Sequence, residues 1–181
     1  NFAFVPMFAK KVEAGEDAEA FARDAFWGMA GLLTVFSILA ILGMPLLVIM
    51  MASGFVGDER FDIAVTLGQI AFPYILFISL TALLSGMLNA AGRFVITSAV
   101  TILLSATMIA GMLLANRMGW DMGRTLAWSV TISGVLQLLV TWAAVRRLGY
   151  RLPFRWPVLT PELKRLAIIA APAVLAGGVV Q

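Results

Sequence analysis

The chain has 181 residues, of which 61% are hydrophobic and 13% are charged. Soluble domains usually carry about 25% charged residues, so this composition excludes an ordinary soluble domain and predicts a membrane protein. The chain has no Cys and no His, which excludes disulfides, thiolate chemistry and the commonest metal ligand within it. The net charge is +3, and the basic residues lie in loops beside apolar segments, so anionic lipid headgroups rather than nucleic acid are the predicted neighbours.

Both ends of the chain carry apolar segments that are too short to cross a membrane. Residues 2–9 form the first and residues 166–181 the second, whereas a helix needs about 20 residues to span the hydrocarbon core. We therefore expect truncated spans at both ends. The sequence reads as an internal fragment of a larger membrane protein.

The first complete span is predicted over residues 25–52, after a charged connector over residues 10–24. Gly28 and Gly31 form a flat patch that favours close approach of another helix. Pro45 lacks a backbone N–H, so we expect a kink near this position.

The second complete span is predicted over residues 65–90 and lies in a segment, residues 63–92, without any charged side chain. Ten Leu, Ile and Phe residues lie between Ile70 and Leu88. They contribute roughly −3 to −6 kcal/mol to the free energy of membrane insertion. This favourable contribution exceeds the unfavourable one of the polar residues Ser79, Thr81 and Ser85. This segment is therefore predicted to cross the membrane, with Pro73 inside its first part.

Two further complete spans are predicted over residues 94–115 and 125–145. A polar loop at residues 116–124 joins them. In the last of these spans, we expect the hydroxyl groups of Thr131, Ser133 and Thr141 to bond back to their own helix.

The loop charges predict the orientation of the chain. The five connectors between spans hold 3, 1, 1, 2 and 6 Lys and Arg residues in chain order. Alternate connectors lie on the same side of the membrane. One side therefore holds ten Lys and Arg residues and the other side holds three. The positive-inside rule places the connectors at residues 10–24, 93 and 146–165 in the cytoplasm, and those at 53–62 and 116–124 outside.

The complete spans contain no Asp, Glu, Lys, Arg or His, so they are predicted to carry no proton relay of their own. No catalytic triad, magnesium-binding acidic pair or phosphate-binding glycine loop is present. The acidic residues Asp58, Glu59 and Asp62 fit a solvated loop better than a metal site. An enzyme acting on polyprenyl phosphate would need more acidic or His residues at the membrane surface.

The polar side chains within the spans leave alternatives open. Asn89 fits a helix-end hydrogen bond or a substrate contact, and Gln137 fits a bond between helices or the lining of a cavity. Residues 146–165 form a basic cluster that would hold this side in the cytoplasm and contact lipid, or attract an anionic substrate headgroup. The cluster comprises Arg146, Arg147, Arg151, Arg155, Lys164 and Arg165.

Four segments resemble the MurJ/MviN family of lipid II flippases. The sequence FPYILFISLTALLSGMLNAAGRF at 72–94 is similar to the fourth helix of that family, and FVP at 4–6 to its second. AWSVTISGVLQL at 127–138 resembles the sixth helix, and APAVLAGGVVQ at 171–181 the seventh. The resemblance covers the whole chain in the correct order.

The resemblance implies an all-α transmembrane helix bundle of the MATE-like, or MOP, superfamily. The chain would be part of the N-terminal lobe of a fourteen-helix transporter, from the second to the seventh helix. The charged cavity residues of the family lie mainly on helices outside this segment and are not carried over. Candidate contacts with the substrate cavity or headgroup are Phe4, Pro6, Asn89, Arg93, Gln137 and Gln181.

The function implied is that of a flippase rather than an enzyme. It would move the lipid-linked peptidoglycan precursor, lipid II, from the inner to the outer face of the bacterial inner membrane by alternating access. The alternative is a related MOP-superfamily exporter of drugs or lipid-linked oligosaccharides, and a scaffold for cell-wall synthesis proteins is a third possibility. No cofactor is predicted, and dependence on the membrane potential or on a coupling ion is left open.

Overall fold

A computed structural model of the chain describes residues 4–15, 17–52, 54 and 57–154. Every regular element in these ranges is helical, α-helical except for a 3-10 conformation at Gly54, and this confirms the predicted all-α fold class. The helices are α1 (Phe4–Glu13), α2 (Ala18–Leu42), α3 (Met44–Met51), α4 (Glu59–Ala71), α5 (Tyr74–Ala90), α6 (Phe94–Met118) and α7 (Met122–Arg147).

Four helical segments are long and apolar enough to cross a membrane: Ala18–Leu42, Glu59–Ala90, Phe94–Met118 and Met122–Arg147. The second segment combines α4 and α5. Helical structure starts earlier than the predicted spans in three of the four cases, because polar and charged residues continue the helices beyond the apolar windows. The predicted truncated span at residues 166–181 lies outside the described residues.

The segment predicted as one span over residues 25–52 is two helices. The helical conformation stops after Leu42 and resumes at Met44. Pro45 follows this break, and its missing N–H leaves the carbonyl of Ile41 without the donor that a regular helix supplies. Instead of the kink expected near Pro45, the structure has a break in the helix. The break consists of a single non-helical residue, Gly43, between α2 and α3.

The segment predicted over residues 65–90 is also divided, between α4 and α5. Phe72 and Pro73 separate the two helices. The backbone continues through shorter-range bonds, from Ile75 N to Phe72 O at 3.0 Å and from Leu76 N to Pro73 O at 3.1 Å. Proline again accounts for the interruption, since it cannot donate to the carbonyl four residues earlier.

The chain divides into two compact units. The first contains Asn1–Gly31, Leu80–Thr97 and Thr141–Gln181. Its described part has a dense apolar core in which the largest buried side chains are Phe8, Leu84, Met87, Leu88 and Val145. Packing of this kind between helices is what holds membrane bundles together, because lipid provides no hydrophobic driving force between them.

The second unit contains Leu32–Ser79 and Ser98–Val140. Small residues bring its helices close together: a Cβ atom at Gly134 would lie 2.8 Å from Tyr74 Cδ2 and 3.0 Å from Phe77 Cβ. Apolar side chains such as Leu39 and Leu42 remain exposed on its helices and suit contact with lipid.

Candidate functional site

The first unit gathers the basic residues that the charge count places in the cytoplasm. Every such Lys or Arg among the described residues belongs to this unit, and the basic residues assigned to the outside belong to the second unit. The described basic residues of the first unit are Lys10, Lys11, Arg23, Arg93, Arg146, Arg147 and Arg151. This grouping agrees with the predicted orientation.

Arg146 and Arg147 lie in the last turn of α7, and both are exposed. The carbonyl end of a helix carries a partial negative charge, so cations are favoured there. The two guanidinium groups can therefore meet an anionic lipid or a diphosphate without a desolvation penalty inside the protein.

The segment after α7, residues 148–154, is held against the start of α2. Arg151 N donates to Glu19 Oε1 at 3.1 Å, and Trp27 Nε1 donates to Pro153 O at 2.9 Å. Leu152 is buried. These contacts fix the backbone of the basic segment, and the Arg151 residue remains exposed.

An aromatic cluster fastens α1 within the same unit. Phe4 stacks on Phe8 with ring centroids 5.7 Å apart and on Phe21 at 5.6 Å, and Phe8 meets Tyr150 edge-on at 5.7 Å. Lys11 Nζ lies 5.6 Å from the centre of the Phe21 ring, within range of a cation–π interaction. Of the two predicted contact residues in α1, Phe4 is thus buried in this cluster, whereas Pro6 is exposed.

A second aromatic cluster joins α2, α7 and the segment after it. Trp27 contacts Phe154 at 4.7 Å and Trp142 at 6.4 Å between ring centroids, and Phe26 contacts Trp142 at 5.0 Å. Edge-on and tilted geometries dominate, as the ring quadrupoles favour. These rings position the backbone from which Arg146, Arg147 and Arg151 extend.

Asn89 and Arg93 lie at the turn between α5 and α6. The side-chain oxygen of Asn89 accepts from Thr97 Oγ1 at 2.9 Å. Arg93 N closes α5 by donating to Leu88 O at 2.8 Å, with Gly92 at φ +73°. The helix-end bond expected of Asn89 is present, and Arg93 is exposed.

Gln137 belongs to the second unit and is 1% exposed. Ser129, Ser133 and Gln137 recur every four residues and form a buried polar stripe on α7. The expectation that the hydroxyl groups of this helix bond back to it was wrong for Thr131, whose Oγ1 donates to Ile70 O at 2.6 Å.

The described residues contain no group of three or more His, Asp or Glu side chains that could hold a metal ion. Four predicted contact residues, Arg155, Lys164, Arg165 and Gln181, lie outside the described residues. The structure brings Arg93, Arg146, Arg147 and Arg151 into one compact unit, and Gln137 belongs to the other.

The sequence profile of the family described as "Lipid II flippase MurJ" matches residues 1–181. A "Probable lipid II flippase MurJ" of Rhizobium tropici is 42% identical over 100% of this chain and 35% of its own length. The corresponding protein of Rhizobium meliloti (strain 1021) is 39% identical with the same coverage. A "Lipid II flippase MurJ" of Burkholderia cenocepacia is 36% identical over 99% of this chain and 36% of its own length.

The chain belongs to the MurJ family. Family membership and four spanning helices identify a multi-pass protein of the bacterial inner membrane, as predicted. The chain spans about a third of the length of these curated relatives: the alignment includes 35% of each Rhizobium protein and 36% of the Burkholderia protein.

Sequence reasoning missed the contacts that position the basic segment of this MurJ-family chain. Glu19 and Trp27 lie 132 and 126 residues from their partners, and no local pattern connects such distant positions. The composition of the segment did offer a signal. Tyr150, Phe154 and Trp156 beside arginines are typical of a membrane-interface segment rather than of a fully solvated loop.

Proposed function

We propose that the full-length protein containing this chain is a lipid II flippase. It translocates the lipid-linked peptidoglycan precursor from the inner to the outer face of the inner membrane by alternating access. The match of the MurJ family profile to all 181 residues carries this proposal. The proteins of Rhizobium and Burkholderia that align with the whole chain bear the same functional name.

The basic residues of the first unit have a role in this proposal. Lipid II carries a diphosphate, and each Lys or Arg near an anionic membrane surface contributes about 1 kcal/mol of attraction. Arg146 and Arg147 end α7, and Arg151 stands on a backbone segment fixed by Glu19 and Trp27. We infer that these arginines attract the diphosphate headgroup at the cytoplasmic surface before the substrate enters the transporter.

Depletion of the full-length protein in cells tests the proposed activity. We expect lipid II to become less accessible on the outer face of the inner membrane, measured with a lipid II-cleaving enzyme or a lipid II-binding probe added from outside. Undiminished exposure would contradict flippase activity. Loss of export of a different lipid-linked oligosaccharide, with lipid II export intact, would instead favour a related exporter.

The role of the arginines is tested separately by the double variant Arg146→Gln and Arg147→Gln in the full-length protein. We expect lipid II export at low substrate levels to fall, and the fall to diminish as substrate rises, because attraction to the surface acts on substrate capture. The matched control replaces Arg60 and Arg117, which the charge count places outside. Equal losses in both double variants would exclude a headgroup role for Arg146 and Arg147.

The proposal also includes further partners. Cell-wall synthesis proteins would receive the exported precursor, and the surrounding lipids would contact the exposed apolar faces of the helices. Transport without a bound cofactor, driven by the membrane potential or a coupling ion, stays a prediction for the full-length protein.

A further inference from the structure

Helix α4 belongs to the second unit and is only partly covered by it. None of its thirteen residues, Glu59–Ala71, is buried. The following helix, α5, has seven buried residues, all of them at Leu80 or later, and none among its first six residues. Segments with few buried contacts open at low free-energy cost, so the part of this span before Leu80, which includes α4, is easier to move than the part after it.

The chain is broken where α4 meets α5, at Phe72 and Pro73. Pro73 has no N–H for the carbonyl of Gln69. The neighbouring carbonyl, that of Ile70, accepts a hydrogen bond from Thr131 Oγ1 on α7 at 2.6 Å. In an unbroken helix a backbone N–H would donate to this carbonyl. Here the Thr131 hydroxyl donates to it instead, and this bond connects the end of α4 to α7.

A second side-chain bond ties the same end of α4 to the break between α2 and α3. Gln69 Nε2 donates to Ile41 O at 3.0 Å, and Ile41 is the residue whose usual donor is replaced by Pro45. The Met44 side chain also packs against the backbone of Gly68 here, since a Cβ at Gly68 would lie 2.8 Å from Met44 Sδ. Two consecutive residues, Gln69 and Ile70, therefore carry the hydrogen bonds that position this end of α4.

Towards its other end, α4 lines a cleft of about 410 Å³, where Leu67 also comes close to Gly123 of α7. Asp62 and Thr66 of α4 line one part of it, and Asp121 and Arg124 at the start of α7 line another. Asp121 is engaged as the helix cap, because its Oδ1 accepts from Arg124 N at 2.7 Å. Asp62 and Arg124 carry opposite charges, yet no ion pair joins them in the described part of the chain.

We propose that α4 is a movable arm, hinged at Phe72–Pro73, that closes the cleft by bringing Asp62 to Arg124. The bonds Gln69–Ile41 and Thr131–Ile70 hold the arm in the open position described here. The loops at this end of α4 and α7 are assigned to the outer face, so closure would block the outer side of the transporter. This last step rests on the proposed flippase function, whereas the movement of α4 does not.

Crosslinking rates test the movement. Asp62→Cys and Arg124→Cys are introduced into a full-length protein otherwise free of cysteine, and the rate of disulfide formation is measured in membranes. Adding Thr131→Val or Gln69→Leu removes one holding bond, so we expect crosslinking to become about 2- to 10-fold faster. The matched control is Thr107→Val, because Thr107 Oγ1 makes the same kind of bond to Leu103 O within α6, at 2.6 Å.

Equal crosslinking rates with Thr131→Val, Gln69→Leu and Thr107→Val would overturn the hinge. The blocking role is then tested by lipid II export before crosslinking, after it, and after reduction. We expect export to stop on crosslinking and to return on reduction, whereas the export of either single cysteine variant should not change on the same oxidation and reduction. Export that continues through the crosslinked protein would overturn the blocking role, and absence of export before crosslinking would count against the flippase function alone.

Discussion

Replacement of Gly111 in α6 by alanine tests how closely α6 and α7 pack. A Cβ atom at this position would overlap Ser129 Oγ and lie 3.2 Å from Ser129 Cβ. The Ser129 hydroxyl is itself held by a bond to Thr125 O at 2.8 Å. The added methyl group therefore requires a shift of the two helices or the loss of that bond.

The size of the effect follows from two opposing terms. Alanine gains up to about 1 kcal/mol over glycine in a helix interior. Forcing extra volume into a packed contact costs about 1–3 kcal/mol. The control variant Gly123→Ala carries no such cost, because the nearest atoms to its Cβ, on Asp121 and Leu67, are 3.5 Å away. We expect the free energy of unfolding of the Gly111→Ala protein to be about 1–3 kcal/mol lower than that of the control.

The assay is reversible unfolding of the full-length protein in mixed micelles, with the two single variants and a double-mutant cycle. Ser129→Gly removes both atoms that the new methyl group would meet, so it should recover most of the loss caused by Gly111→Ala. If Gly111→Ala were as stable as Gly123→Ala, or if Ser129→Gly failed to rescue it, the close contact between α6 and α7 would be refuted.

Two further predictions concern the first unit and the orientation of the chain. Trp27→Phe keeps an aromatic ring but removes the 2.9 Å hydrogen bond to Pro153 O. Proteolysis or labelling of the segment after α7 should therefore become about 2- to 10-fold faster. Unchanged rates would show that this bond does not hold the segment. Cysteines placed at Glu59 and Arg151 should react with a membrane-impermeant reagent from opposite sides of the membrane, and labelling from the same side would overturn the topology derived from the charge count.

Membrane insertion could be predicted from the sequence because hydropathy is a local property. Residues 63–92 carry no charge, and their transfer free energy does not depend on which neighbours they meet. The position of Pro45 likewise predicted a disturbed helix, since proline lacks the N–H in any fold. The resemblance of residues 72–94 to the flippase family identified the family that the profile match then confirmed.

The candidate contact residues were less predictable. Phe4 and Asn89 have the residue types and positions of substrate contacts, but Phe4 is buried in an aromatic stack and Asn89 is bonded to Thr97. A side chain near a span end can face lipid, another helix or a cavity, and the sequence period alone does not distinguish these three surroundings. The role of both residues in substrate binding stays a prediction.

The sequence by itself determined which segments enter the membrane, that a helix is disturbed near Pro45, and which connectors carry the positive charge. All of these depend on transfer free energies and backbone chemistry that act within a few residues. Only the tertiary structure decided which side chains satisfy the carbonyl groups at the breaks: Gln69 bonds to Ile41 and Thr131 to Ile70. Those pairings arise because a buried polar group in an apolar medium must find a partner, and the packing of the helices determines which one lies within reach.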